Sequence, residues 1–98
     1  MIDEKVYDCI IIGGGLAGLS LSILLAQNNR KVLLIEKKSY PYHKVCGEYV
    51  SMESWQFLQK LGIPLPQMNL PIITKLKITN MSGNVIEQAL DMGGFGIS

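Results

Sequence analysis

Gly13, Gly15 and Gly18 stand at the spacing G-x-G-x-x-G, and Glu36 follows further along the chain. In dinucleotide-binding proteins an acid stands about 20 residues beyond such a turn. Each residue type has a physical task. Gly13 permits a tight turn. Gly15 lacks a Cβ, so the backbone there can approach a diphosphate closely. Gly18 lets a following helix pack against strands. Leu16 and Ala17 open that helix, whose first N–H groups and partial positive charge would face the phosphates. The Glu36 carboxylate can accept hydrogen bonds from a ribose diol. Its charge disfavours a 2′-phosphate, which makes NADP the poorest fit at this position.

The pattern alone is weak, and its flanking elements decide its weight. Val6–Ile12 is a short apolar, β-branched run, read as a strand buried on both faces. Leu16 to about Asn28 has helical length and no Pro. Its apolar positions cover most of its circumference, which predicts a mostly buried helix. Asn28-Asn29 is a fitting stop, since Asn tolerates the left-handed conformation. Lys31–Glu36 is a second strand. Strand, glycines, helix, strand and acid therefore occur in the order of a βαβ crossover.

Beyond it, Lys37–Gly47 reads as a loop. Ser51 caps a helix running to about Leu61, with Trp55, Leu58 and Leu61 on one face and Gly62 as its stop. Pro64 and Pro66 mark a break, and the chain is divided there into residues 1–62 and 63–98. Thr74–Thr79 alternates as a half-buried strand, Met81–Asn84 turns, and Val85–Leu90 returns as a hairpin. Gly93–Gly96 reads as a loop. The fold class is α/β: a partial Rossmann-type FAD/NAD(P)-binding fold, a βαβ unit plus a helix, followed by a β-hairpin.

Composition narrows the partners. The 98 residues are 48% hydrophobic and 17% charged, with net charge +1. This is globular composition. No basic stripe points to nucleic acid, and no polybasic patch points to anionic lipid. Cys9 and Cys46 match no zinc or redox spacing, and free thiols suit a reducing cytosol. The start of the chain lacks a basic leader region, and no apolar stretch approaches the ~20 residues of a membrane span, so a cytoplasmic protein is expected. A cofactor fold and a substrate region each need about 100–150 residues. The chain is therefore expected to be the front of a larger protein or a truncated product.

Ile10–Gly18 together with Val32–Lys37 resembles the FAD-binding N-terminus of flavoprotein oxidoreductases. Val45-Cys46-Gly47-Glu48-Tyr49-Val50-Ser51 is similar to the geranylgeranyl reductase-like branch, within the wider aromatic-hydroxylase and monooxygenase-type class. The resemblance implies FAD as cofactor, with NAD(P)H as a candidate electron donor. It implies that Gly13, Gly15 and Gly18 hold the FAD diphosphate and that Glu36 binds the adenosine ribose. Lys37 would lie near the adenine end. Cys46, Gly47 and Glu48 would follow the cofactor toward the isoalloxazine and the substrate pocket. The implied substrate is a small or isoprenoid-like apolar molecule, with peripheral membrane contact in the parent protein. Departures are mild: Ser22 stands where the family has Ala, and Asn29 where a Gly is common. The family's later Gly-Asp segment and third parallel strand do not occur in these 98 residues.

Other residues stay open or read as structural. Cys46 is a flavin-side thiol or a small buried hydrophobe, with equal weight on each. Cys9 and Trp55 read as packing residues. His43 alone makes no metal site. Tyr40 and Tyr42 line a pocket or cover the adenine end. No acid or base is assigned to catalysis. Three alternatives remain beside the reductase: a flavin monooxygenase, an NAD-binding dehydrogenase, and a non-catalytic truncated fragment.

Overall fold

Three consecutive isoleucines favour extended backbone, because β-branched side chains restrict χ1 and fit a pleated surface. They form most of β1, Cys9–Ile12, in the computed structural model, which describes residues 6–43 and 48–97. The chain divides into two compact units, Met1–Lys44 and Val45–Ser98.

In the first unit, α1 (Leu16–Gln27) connects β1 to β2 (Val32–Ile35). The strands are parallel, with Cys9 opposite Val32 and Ile12 opposite Ile35. Asp8 ties their entrances together: Lys31 N–H donates to its Oδ2 at 2.8 Å, while Asp8 N–H donates to Lys31 O at 2.8 Å. α1 ends as its asparagines predict. Asn29 adopts φ 59°, Arg30 N–H donates to Leu25 O, and Asn29 N–H to Ala26 O. That pair of bonds closes a Schellman motif. Ser22 spends its hydroxyl on Gly18 O at 2.8 Å, within its own helix.

The expected burial of this unit is not found among the described residues. α1 has no fully buried residue, Leu16 is 84% exposed and Ile12 is 85% exposed. One helix lies over one face of two strands, so of their apolar side chains only the inward Ile11 is closed off among the described residues, at 9% exposure. The all-round apolar character of α1 exceeds what these two strands can cover.

The second unit is an antiparallel sheet in the order β3-β5-β4, with β3 at Tyr49–Ser51, β4 at Ile72–Thr79 and β5 at Val85–Gly96. The hairpin of β4 and β5 forms as expected, but Thr74–Thr79 is exposed along its length rather than half-buried, because among the described residues it pairs only with β5, at the edge of the sheet. Asn80 Oδ1 accepts from Ser82 N–H and Asn84 N–H, and Gly83 takes φ 85°. Its extent differs from the sequence reading. Gly93–Gly96 is strand, not loop, because Phe95 pairs with Val50 on one side and Ile72 on the other. β3 is not foreseen from the sequence, where only Ser51 has a reading, as a helix cap, since three residues carry no period of their own. Between Ile73 and Lys75 the register shifts, and Gly93 at φ 69° lies in the extra length of β5.

The expected helix is also shorter. Ser51 Oγ accepts from Glu53 N–H at the head of a 3₁₀ turn, Met52–Ser54, and α2 spans only Trp55–Lys60. Gly62 ends it at φ 93°, with Ile63 N–H on Leu58 O. Phe95 and Leu65 form the core at 0% and 1% exposure, with Leu61 beside them in burial. Trp55 meets Phe95 edge to face, ring centres 5.2 Å apart. Full burial of one such ring contributes about 1.5–3 kcal/mol, and the aromatic pair about 0.5–1.5 more. α2 therefore packs within the second unit, although the Pro64–Pro66 division grouped it with the first.

Candidate functional site

β1 delivers the chain into the glycine turn, and the turn divides its amides. Gly13, at φ 108°, uses its N–H on Ile35 O at 2.8 Å, extending the sheet by one rung. Gly14 N–H donates to Glu36 Oε1 at 3.2 Å. From Gly15 onward the pattern changes. The first helical bond is Leu19 N–H to Gly15 O. The N–H groups of Gly15, Leu16, Ala17 and Gly18 have no acceptor among the described residues. α1 has no side-chain cap and no acid in its first turn. Its N-terminal field is thus unopposed by its own sequence.

The space around these amides matches their chemistry. An added Cβ on Gly13 or Gly15 meets nothing within 4 Å, whereas one on Gly18 collides with Gly13 O and comes within 3.3 Å of Ile11 Cγ2. The first two glycines leave room, and the third allows close packing. A groove of about 460 Å³ runs along this side, lined by Ile12, Gly13, Gly15, Leu16, Ala17 and Gly18 among others.

Glu36 closes the other side. Besides Gly14 N–H, it accepts Lys38 N–H on Oε2 at 3.2 Å and the Tyr42 hydroxyl on Oε1 at 3.5 Å. The Lys38 backbone bond, with the backbone bonds of Gly14 and Lys37 and the Tyr42 hydroxyl, holds its carboxyl below the ordinary value of 4.5 against a smaller opposing effect of desolvation. Desolvation and the Glu36 charge push the Tyr42 phenol above 10.0, so it remains a donor. Tyr40 donates to Gly14 O at 2.6 Å. The two tyrosine rings stack, centres 5.7 Å apart, and Lys38 Nζ lies 5.1 Å from the centre of the Tyr42 ring.

The structure thus brings together Gly13, Gly15, Leu16, Ala17, Gly18 and Glu36. Lys37 stands next to them and acts on Glu36 through its backbone. Glu48 belongs to the second unit, where its carbonyl accepts from Ile97 N–H at 2.9 Å. Cys46 and Gly47 lie outside the described residues. The sequence leaves Gly14 without a role and Tyr40 and Tyr42 without a partner. The one signal for the tyrosines was two aromatics at i and i+2 just after the acid. No group of three or more metal-ligating side chains occurs among the described residues. The arrangement offers donors to an anion and an acceptor to a sugar.

Residues 11–43 match the family profile of the NAD(P)-binding Rossmann-like domain. The first unit has a Rossmann-like βαβ fold. Individual relatives carry the same indication. The chain is 38% identical over 68 residues to a digeranylgeranylglycerophospholipid reductase of Sulfolobus acidocaldarius, covering 65% of this chain and 14% of that protein. It is 39% identical over 62 residues to a Marinomonas mediterranea protein named as an FAD-dependent oxidoreductase, covering 62% and 16%. It is 46% identical over 88 residues to an uncharacterized protein of Methanosarcina barkeri, covering 86% and 23%. The Rossmann-like unit is therefore shared with oxidoreductases, and the chain spans under a quarter of the length of each of these relatives.

Proposed function

We propose that this chain is the FAD-binding N-terminal part of an oxidoreductase of the geranylgeranyl reductase-like branch. One observation carries the reading: Gly14 N–H is spent on Glu36, beside four consecutive amides, from Gly15 to Gly18, that no acceptor in the described chain takes. This fits the adenosine diphosphate portion of FAD. The diphosphate would accept from Gly15–Gly18 at the head of α1, and the ribose would donate to Glu36. Bound flavin would supply hydride or electron transfer, with NAD(P)H as the proposed donor.

Lys37 is proposed near the adenine end, and Cys46, Gly47 and Glu48 along the path to the flavin ring. The antiparallel strands after residue 63 are proposed as the opening of the substrate region. The similarity to the Sulfolobus digeranylgeranylglycerophospholipid reductase supports an isoprenoid-like substrate. No helix among the described residues is long and apolar enough to cross a membrane. A cytoplasmic protein touching the membrane surface would meet such a substrate.

Purified full-length protein should release FAD on heat denaturation, identified by its visible spectrum and by chromatography. Glu36→Gln should lower FAD retention at least several-fold. Release of NAD without flavin, or FAD retention unaffected by Glu36→Gln, would overturn the assignment.

A further inference from the structure

The Gly14–Gly15 peptide joins two residues without Cβ atoms, so little steric cost prevents its plane from turning over. Its direction matters. In a trans peptide the carbonyl and the following N–H point to opposite sides. This peptide is trans, the cis bond among the described residues being Tyr40-Pro41. On one side, Tyr40 donates its hydroxyl to Gly14 O at 2.6 Å. On the other, Gly15 N–H has no acceptor among the described residues, and nothing lies within 4 Å of a Cβ built on Gly15.

We propose that Tyr40 is a positioning residue of the nucleotide site: by holding the Gly14 carbonyl it turns the Gly15 N–H toward the diphosphate. The proposal rests on the reading above that the glycine turn holds a diphosphate. A reversed peptide would set a carbonyl dipole against the phosphates and remove one donor from them. Tyr40 is itself held. Its ring stacks on Tyr42, whose hydroxyl reaches Glu36. The same contact accounts for the glycine that G-x-G-x-x-G does not specify, because a Cβ on Gly14 would collide with the Tyr40 hydroxyl. Tyr40 is 53% exposed, so it is not a core residue, and Tyr40→Phe removes one hydroxyl from a surface ring.

The test uses full-length protein stripped of nucleotide, titrated calorimetrically with ADP and with adenosine. Tyr40→Phe should weaken ADP about three- to ten-fold, the range of one net hydrogen bond, and leave adenosine within about two-fold. Gly14→Ala should weaken ADP too by displacing the hydroxyl, but its Cβ also comes within 3.0 Å of Glu36 Cβ, so the adenosine comparison is read in Tyr40→Phe. A general loosening of the site would weaken both probes together and would overturn the proposal. So would unchanged ADP binding in either variant. A wild-type protein with no preference for ADP over adenosine would instead overturn the diphosphate reading itself, and this proposal with it.

Discussion

Gly13 and Gly15 in one unit do the opposite of Gly93 and Gly94 in the other. In the Rossmann-like unit, a Cβ on Gly13 or Gly15 meets nothing, and Ile12 and Leu16 stand exposed nearby. In the antiparallel unit, Gly93 and Gly94 are buried. A Cβ on Gly93 would come within 2.7 Å of Ile73 O, and one on Gly94 would strike the Tyr49 ring. At these positions bare backbone is filled by the chain itself in one unit and kept clear in the other, although Gly14 of the first is covered by Tyr40, and Gly62 and Gly83 of the second stand open. The first pattern is packing, where an aromatic ring covers a strand glycine. The second is what a ligand needs that must approach the main chain.

That contrast can be broken most forcefully in the core of the second unit. Phe95 is fully buried and meets Trp55 edge to face. Phe95→Ala should cost about 3–5 kcal/mol in denaturant unfolding. Protein that remains folded should still bind ADP. Loss of ADP binding from the folded fraction would erase the division between a packing unit and a binding unit.

Two glycines within the first unit sharpen the same point. Gly18→Ala drives a Cβ into Gly13 O and should cost about 1–3 kcal/mol, because the collision is with backbone. Gly15→Ala should change stability by less than about 0.5 kcal/mol, since Gly15 has φ −79° and open space around it. It should nevertheless weaken ADP by more than about ten-fold, as a methyl group holds the anion off charge-assisted donors. Equal stability losses in the two variants would show that Gly15 is a packing glycine after all.

Much of this was legible in the sequence, for identifiable reasons. The βαβ order, the distinct tasks of Gly13, Gly15 and Gly18, and the stop at Asn29 depend on neighbours close in the chain. Backbone chemistry announces such features. Three features were not legible. Burial of α1 depends on how many strands lie under it, which its own periodicity does not reveal. Gly93–Gly96 carries the signature of a turn. It becomes strand only because β3 and β4 supply partners from far along the chain. The bond from Tyr40 to Gly14 spans 26 positions and has no periodic trace. Local pattern therefore marked the glycine turn, and only the fold revealed the tyrosine bonded to it.

The smallest expected effect is acid titration of Glu36, and its sign is fixed. Its pKa is lowered, first by the Lys38 backbone bond, so the ionised form is favoured in the folded state. Its contribution is present above the ordinary value of 4.5 and is lost as pH falls through the lowered value. The group is open to solvent, so the change in stability should be slight and should shrink further in salt. Nucleotide affinity reads it better. ADP titrates too, which calls for comparing wild type with Glu36→Gln at each pH. Their ratio should stay constant from neutrality to about pH 4.5 and collapse toward one below it, as the wild-type carboxylate is protonated. Tyr42, with its phenol raised above 10.0, remains a donor throughout. A ratio already falling near neutrality would mean that Glu36 is not held ionised by the bonds drawn around it. The sugar-binding side of the cradle would then need another acceptor.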